Sequence, residues 1–167
     1  MKTPICGVCL KSEILCNGCQ RKVESGDVPE EAVEVFRTLH DLSDSIQSLK
    51  DVEIKRVVST ENVFILITEK GDAPKVVGRR GKIVKKIAEM VDKPVRILDD
   101  SQDLEEVVKN LISPVEIKAI NTLYTPDGES KKVVVDEDDK NRVPISKSLF
   151  KELVEELAGE ECFLSFE

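Results

Sequence analysis

The sequence predicts an α+β protein: a small metal-binding module followed by two α-β-β-α-α-β units. Three observations predict it. Four cysteines stand in two C-x2-C pairs at the amino-terminal end. Runs with helical apolar spacing then alternate with short β-branched runs, in the same order twice. The tripeptide Glu-Ile-Lys opens the strand pair of each copy, at 53–55 and again at 116–118.

Cys6, Cys9, Cys16 and Cys19 form a C-x2-C-x6-C-x2-C array over residues 1–24. Four thiolates in paired turns are what a tetrahedral ion asks for. Gly7 and Gly18 are expected to permit tight turns, and the six-residue spacer to form a short hairpin. With every position taken by sulfur the site has no vacancy for a substrate, so the metal is expected to be structural. Zinc is expected, and the spacing alone also admits rubredoxin-like iron. Disulfides compete less well, because no signal peptide follows Met1 and a cytoplasmic setting is expected. Ile5, Val8, Leu10, Ile14 and Leu15 are too few to build a core. Metal binding, at about 10–16 kcal/mol for structural zinc, supplies the folding energy instead. Lys11, Arg21 and Lys22 are the local cations that could meet nucleic acid.

Residues 29–100 hold the first unit. Pro29 opens a helix on which Val33, Phe36, Leu39, Leu42, Ile46 and Leu49 recur at helical spacing. Residues 53–58 and 63–67 read as strands about a Thr60-Glu61-Asn62 turn. A short helix, 75–77, precedes Gly78-Arg79-Arg80-Gly81. A longer helix follows, with Ile83, Val84, Ile87 and Val91 on one face, and 94–98 closes the unit as a strand.

The Gly-Arg-Arg-Gly corner is the most informative stretch. Glycine lets backbone N–H groups approach a phosphate, and the next helix places about half a positive charge at its N-terminus. Residues 70–96 carry nine cations and three anions, a local +6 in a chain whose net charge is -8. V-V-G-R-R-G-K-I-V-K-K-I resembles the signature of the KH RNA-binding domain, whose G-x-x-G loop clamps a single-stranded backbone. The order α-β-β-α-α-β resembles its type II form. The resemblance implies that Gly78 and Gly81 admit the sugar-phosphate chain while Arg79, Arg80 and Lys82 neutralise phosphates. Lys75, Lys85 and Lys86 then extend the track, and Val77 and Val84 contribute to an aliphatic floor for bases.

The second unit, 101–167, repeats the pattern without the loop. A helix over 103–112, strands at 116–118 and 131–135 about Pro126-Asp127-Gly128, a helix over 146–157 ended by Gly159, and a strand over 162–166 are expected. Where a G-x-x-G would stand it has Asp136-Glu137-Asp138-Asp139. Residues 98–167 carry eighteen anions against eight cations, so this copy is expected to be a structural or protein-binding unit. The acidic run lacks the glycine and distal glutamate of a calcium loop. Tandem type II KH units of this kind resemble those of the NusA family, its short archaeal members in particular, over residues 50–167. That implies single-stranded RNA as a partner, with RNA polymerase in transcription elongation or termination. The same clamp would serve ribosomal components in ribosome assembly or translation, and a protein adaptor using the acidic unit and the cysteine module is a third reading.

Composition sets the remaining bounds. Hydrophobic residues make up 40% and charged residues 35%, which suits a globular protein, and no apolar run is long enough to span a membrane. Aromatic content of 4% without Trp argues against a recognition surface of stacked rings. No base and nucleophile can be assembled around His40, the sole histidine, so it is expected to be a surface or helix-packing residue and the protein to have no enzymatic activity. Cys162 is expected to be a small core residue.

Overall fold

Two three-stranded sheets, each backed by helices, account for the alternating periodicities. The structure, a computed structural model, describes residues 1–100 and 103–167. The chain divides into compact units Met1–Asp100 and Ser101–Glu167. The expected start of the second copy at residue 101 lies outside the described residues.

The first unit runs α1 (Gly7–Lys11), α2 (Asn17–Glu24), α3 (Glu30–Ser43), β1 (Ile54–Ser59), β2 (Phe64–Thr68), α4 (Ala73–Val77), α5 (Lys82–Val91) and β3 (Val95–Asp99). Pro29 caps α3, and Glu30 and Glu31 in its first turn complement the helix dipole. The apolar spacing that predicted one helix through Leu49 is interrupted. The helix stops at Ser43, and a 3-10 turn, Gln47–Leu49, returns Leu49 to the core. β1 and β2 are antiparallel, and β2 pairs with β3 in parallel. A parallel pair requires a crossover, which α4, the diarginine corner and α5 provide.

Residues 1–24 share this unit's core. Ile5, Cys9, Leu10 and Cys19 are buried in one cluster with Phe36, Leu39, Phe64, Leu66, Ile83 and Ile87. Each fully buried aliphatic or aromatic side chain contributes about 1.5–3 kcal/mol. The amino-terminal residues also extend the sheet, since the Lys2 N–H donates to Val52 O (2.9 Å) and the Ile54 N–H to Lys2 O (2.8 Å). The expected hairpin between the cysteine pairs is absent. Each pair instead opens a helix, α1 or α2, and Gly7 and Gly18 are ordinary helical positions.

The second unit runs α6 (Leu104–Ile112), β4 (Ala119–Thr125), β5 (Gly128–Val135), α7 (Lys147–Ala158) and β6 (Cys162–Phe166). Its sheet repeats the first: β4 and β5 antiparallel, β5 and β6 parallel. Glu116-Ile117-Lys118, expected within the first strand, lies just ahead of β4. Asp103 caps α6 through the N–H groups of Glu105 and Glu106, and Ser146 caps α7 through that of Leu149. A 3-10 turn, Glu137–Arg142, stands where the first unit has α4 and its corner, so one helix of the expected pair is missing. Val108, Leu111, Val133, Phe150 and Leu153 lie in the core with Cys162, whose thiol burial pushes up to about 11.

Leu39 is fully buried at the centre of the first unit. Truncation to Ala is expected to lower stability by about 2–5 kcal/mol, read as a fall in urea midpoint at unchanged slope.

Candidate functional site

The start of α4 is held by two carboxylates, that of Asp99 in β3 and that of its own N-cap residue Asp72. Asp99 Oδ1 accepts from the Ala73 N–H (2.8 Å) and from Thr68 Oγ1 (3.2 Å), tying the helix to β3 and β2. Asp72 Oδ2 accepts from the Glu53 N–H (2.9 Å), and its Oδ1 accepts from Lys75 Nζ (2.9 Å). Burial works to raise the Asp72 pKa. The Glu53 N–H and the Lys75 ammonium outweigh it and hold the carboxyl below the usual carboxylate range.

From this anchored helix the chain turns sharply. Gly78 has φ 78° and ψ 173°, Arg80 φ 56° and ψ 26°, and Gly81 φ 71° and ψ 19°. The Gly81 N–H donates to Gly78 O at 3.1 Å, closing a single 3-10 turn. Gly78 is required twice over. Its φ lies in the left-handed region, and a Cβ there would stand 2.7 Å from Ile83 Cγ1, a buried side chain. Arg80 adopts the left-handed conformation without glycine's freedom, at a cost of about 1–2 kcal/mol.

The corner delivers cations to an open helix end. No side chain caps α5, and the Lys82 N–H at its start donates to Arg79 O. Arg79, Arg80, Lys82, Lys85 and Lys86 are exposed, and among the described residues none has an ion-pair partner. Val77 and Val84 are half-buried beside them, able to offer apolar surface. Lys75 differs from the other cations, because its charge is engaged with Asp72. Lys93 is likewise committed, contacting Glu31 Oε1 (2.7 Å), Ser59 Oγ (2.7 Å) and Thr60 O (2.8 Å). The Lys93 contacts join distant parts of the chain and leave no local pattern in the sequence, whereas Asp72 and Lys75 stand one helical turn apart.

The four cysteine sulfurs lie within 4.8 Å of one another. Cys6 and Cys9 Sγ are 3.4 Å apart and Cys6 and Cys16 Sγ 3.9 Å. Four sulfurs at about 2.3 Å from a tetrahedral ion would be about 3.8 Å apart, so the cluster fits one metal. A disulfide would need about 2.05 Å. Backbone N–H groups point at three of the sulfurs: Cys16 N to Cys9 (3.1 Å), Cys6 N to Cys19 (3.3 Å) and Cys19 N to Cys16 (3.5 Å). Such donors stabilise thiolates. Cys16 is drawn down to about 6, led by the Cys19 N–H and helped by neighbouring sulfurs. Cys9 is pushed up to about 12: the Cys16 N–H works the other way, and burial with the three adjoining sulfurs overrides it. Crowded sulfurs resist ionising together unless a cation sits among them. Arg37 Nε donates to Cys9 O at 3.1 Å, a link from α3 that the cysteine spacing did not announce.

No protein-family model matches the chain. Over 62 residues it is 24% identical to the probable transcription termination protein NusA of Methanococcus vannielii. That match covers 37% of this chain and 36% of the relative, so the chain spans about a third of the length of that protein. Among solved structures, the crystal structure of APE1850 aligns with 81% of this chain and 96% of its own, at 24% identity and a TM-score of 0.47.

Two outcomes are expected. Gly78→Ala should destabilise the first unit by about 1–3 kcal/mol, and Gly81→Ala by less, since a Cβ at Gly81 stands 3.5 Å from Val84 Cγ1, an ordinary contact. Chemical denaturation of the two variants checks the order. Purified protein should hold one metal ion per chain by elemental analysis. Stripping it with a chelator should lower the melting temperature, because Cys9 and Cys19 belong to the core. Metal-free protein of unchanged stability would refute the centre.

Proposed function

We propose that this protein binds single-stranded RNA, gripping its sugar-phosphate backbone at the Gly78-Arg79-Arg80-Gly81 corner, and acts as a NusA-like factor in transcription elongation or termination. The observation that carries the reading is the corner itself. Two glycines and a strained arginine hold two exposed guanidinium groups at the uncapped end of a ten-residue helix. Phosphates of the strand meet the positive end of the α5 dipole and the side chains of Arg79, Arg80 and Lys82. Lys85 and Lys86, further along α5, continue the track. Lys75 contributes less than its position suggests, since binding there must compete with Asp72. Val77 and Val84 form the floor against which bases lie, which gives modest sequence preference.

The cysteine centre serves this reading as a structural site. Zinc suits the four sulfurs, with iron the alternative that the donor set also accepts. The ion, when bound, supplies folding energy to α1 and α2; α1 packs on α3, which in turn packs on α5. Binding rather than catalysis is the proposed activity. The transcription setting draws on the likeness to the archaeal NusA. A factor for ribosome assembly or translation would use the same clamp, and affinity purification distinguishes them by recovery of RNA polymerase or of ribosomal subunits.

The second unit takes no RNA in this scheme. Its counterpart of the corner is Glu137–Arg142, opened by Glu137, Asp138 and Asp139. A phosphate chain is repelled there.

Replacing both Arg79 and Arg80 by Asp should weaken binding of a single-stranded RNA by about two orders of magnitude, with circular dichroism unchanged. The parent's log-log salt slope should be about -2 to -3. Undiminished affinity in the double variant would remove the corner from the mechanism.

A further inference from the structure

The second unit has an open strand. In the order β4-β5-β6, β4 has a neighbour on one side only, and among the described residues no bridge pairs its other edge. Its sequence, Ala-Ile-Asn-Thr-Leu-Tyr-Thr, carries no charge, proline or glycine in a chain that is 35% charged. Proteins ordinarily blunt such an edge with lysine, proline, a bulge or shortness. Two of the other edges, β1 and β6, are blunted. β1 meets Lys2 at its start and has a register irregularity between Ile54 and Arg56. Glu160, Glu161 and Glu167 bracket β6, and Lys151 Nζ sits 4.7 Å above the Phe163 ring. β4 runs in unbroken register with β5 over seven residue pairs, and Tyr124 is 79% exposed.

A cavity of about 600 Å³ adjoins this strand, between α6 and the start of β4. Pro114, Val115, Ile117 and Ile120 give it apolar walls; at its rim Glu105 is paired with Lys109 (3.1 Å), and Glu116 adds a second carboxylate. A groove between an edge strand and a helix is the arrangement in which an added strand gains both ladder hydrogen bonds and a seat for a side chain. Residues 101–167 carry sixteen carboxylates against eight cations, which sets the charge of the occupant.

We propose that β4 and the adjoining cavity form a strand-addition site for an extended segment of a protein partner, apolar at alternate positions and rich in Lys or Arg between them. The segment's backbone continues the β4-β5-β6 ladder. One apolar side chain enters the cavity between α6 and β4, and flanking cations meet Glu116 and the surrounding carboxylates. Charge selects this occupant over two others. A second copy of the chain would bring one acidic unit against another, and RNA is repelled for the same reason. The site lies in a different unit from the diarginine corner, so it stands independently of the RNA reading.

The test uses the full chain and synthetic peptides as long as β4, in which Lys alternates with Val, Ile, Leu or Phe. At least one should bind with a dissociation constant below about 1 mM and slow amide exchange across residues 119–125 by about tenfold or more. Peptides with Glu in place of Lys should not bind. Glu116→Lys, a change at an exposed rim position, should weaken binding several-fold without altering stability. Ile117→Asp, at the half-buried wall, should abolish it in protein that retains its circular dichroism. Any one of three results overturns the proposal: no binding by any Lys peptide at that concentration, binding that leaves β4 exchange unchanged, or concentration-dependent protection of β4 by self-association without peptide.

Discussion

The first unit depends on α3 being buried from two sides. Its apolar face packs against α1 on one side and α5 on the other, with Val35, Phe36 and Leu39 fully buried. A cysteine-bearing segment too small for a core of its own thereby becomes part of a larger one. Cys9 and Cys19 turn inward with that core, while Cys6 and Cys16 stay at the surface, so one set of four sulfurs has both a buried and an exposed side. Close-packed interiors transmit displacement rather than absorb it. Ile83 and Ile87, on the helix that follows the diarginine corner, lie in the same buried cluster as Cys9 and Cys19.

The two units show what a shared strand pattern permits. Both have an antiparallel pair followed by a parallel strand. They differ where the chain crosses between the second and third strands. In the first unit, Asp72 and Asp99 fasten a short helix and Gly78 lets the backbone fold tightly over Ile83. In the second, a 3-10 turn rich in carboxylates stands in the place of the short helix and corner, and α7 completes the crossing. A strand pair tolerates either connection, since the ladder constrains only its ends. The connection alone decides whether the unit presents cations or anions.

Charge is segregated to match. Residues 1–100 carry equal numbers of cations and anions, and residues 101–167 are net acidic. Within the first unit the balance is uneven, because Lys55 is held by Glu69 and Asp100 and Lys93 by Glu31, whereas the corner cations are left without partners among the described residues. The Glu31 carboxyl is also bonded to the Ser59 hydroxyl, so Glu31, Ser59 and Lys93 act as one buckle between α3, the end of β1 and the segment leading to β3. Cations tied down in this way stabilise the unit, and those left exposed are available to a polyanion.

Much of this was legible from local pattern. Helical spacing around Phe36 and Leu39, β-branched runs such as Phe64 to Ile67, the two C-x2-C pairs and the glycines around Arg79-Arg80 each declare themselves within a few residues, because backbone preference and amphipathic period are local properties. Errors fell where a local rule met a distant partner. Gly7 and Gly18 read as turn residues, yet sulfur geometry shared by four positions placed them at helix starts. Lys93 read as one more cation of the basic stretch until Glu31, from α3, came within 2.7 Å of it. The sequence by itself determined which segments form strands, helices and a sulfur cluster, and that the corner is basic. Tertiary structure alone decided that the cysteines join the core of α3, which cations remain unpaired, and that β4 keeps an open edge. Those outcomes depend on which atoms approach across tens of residues, and no local spacing encodes that approach.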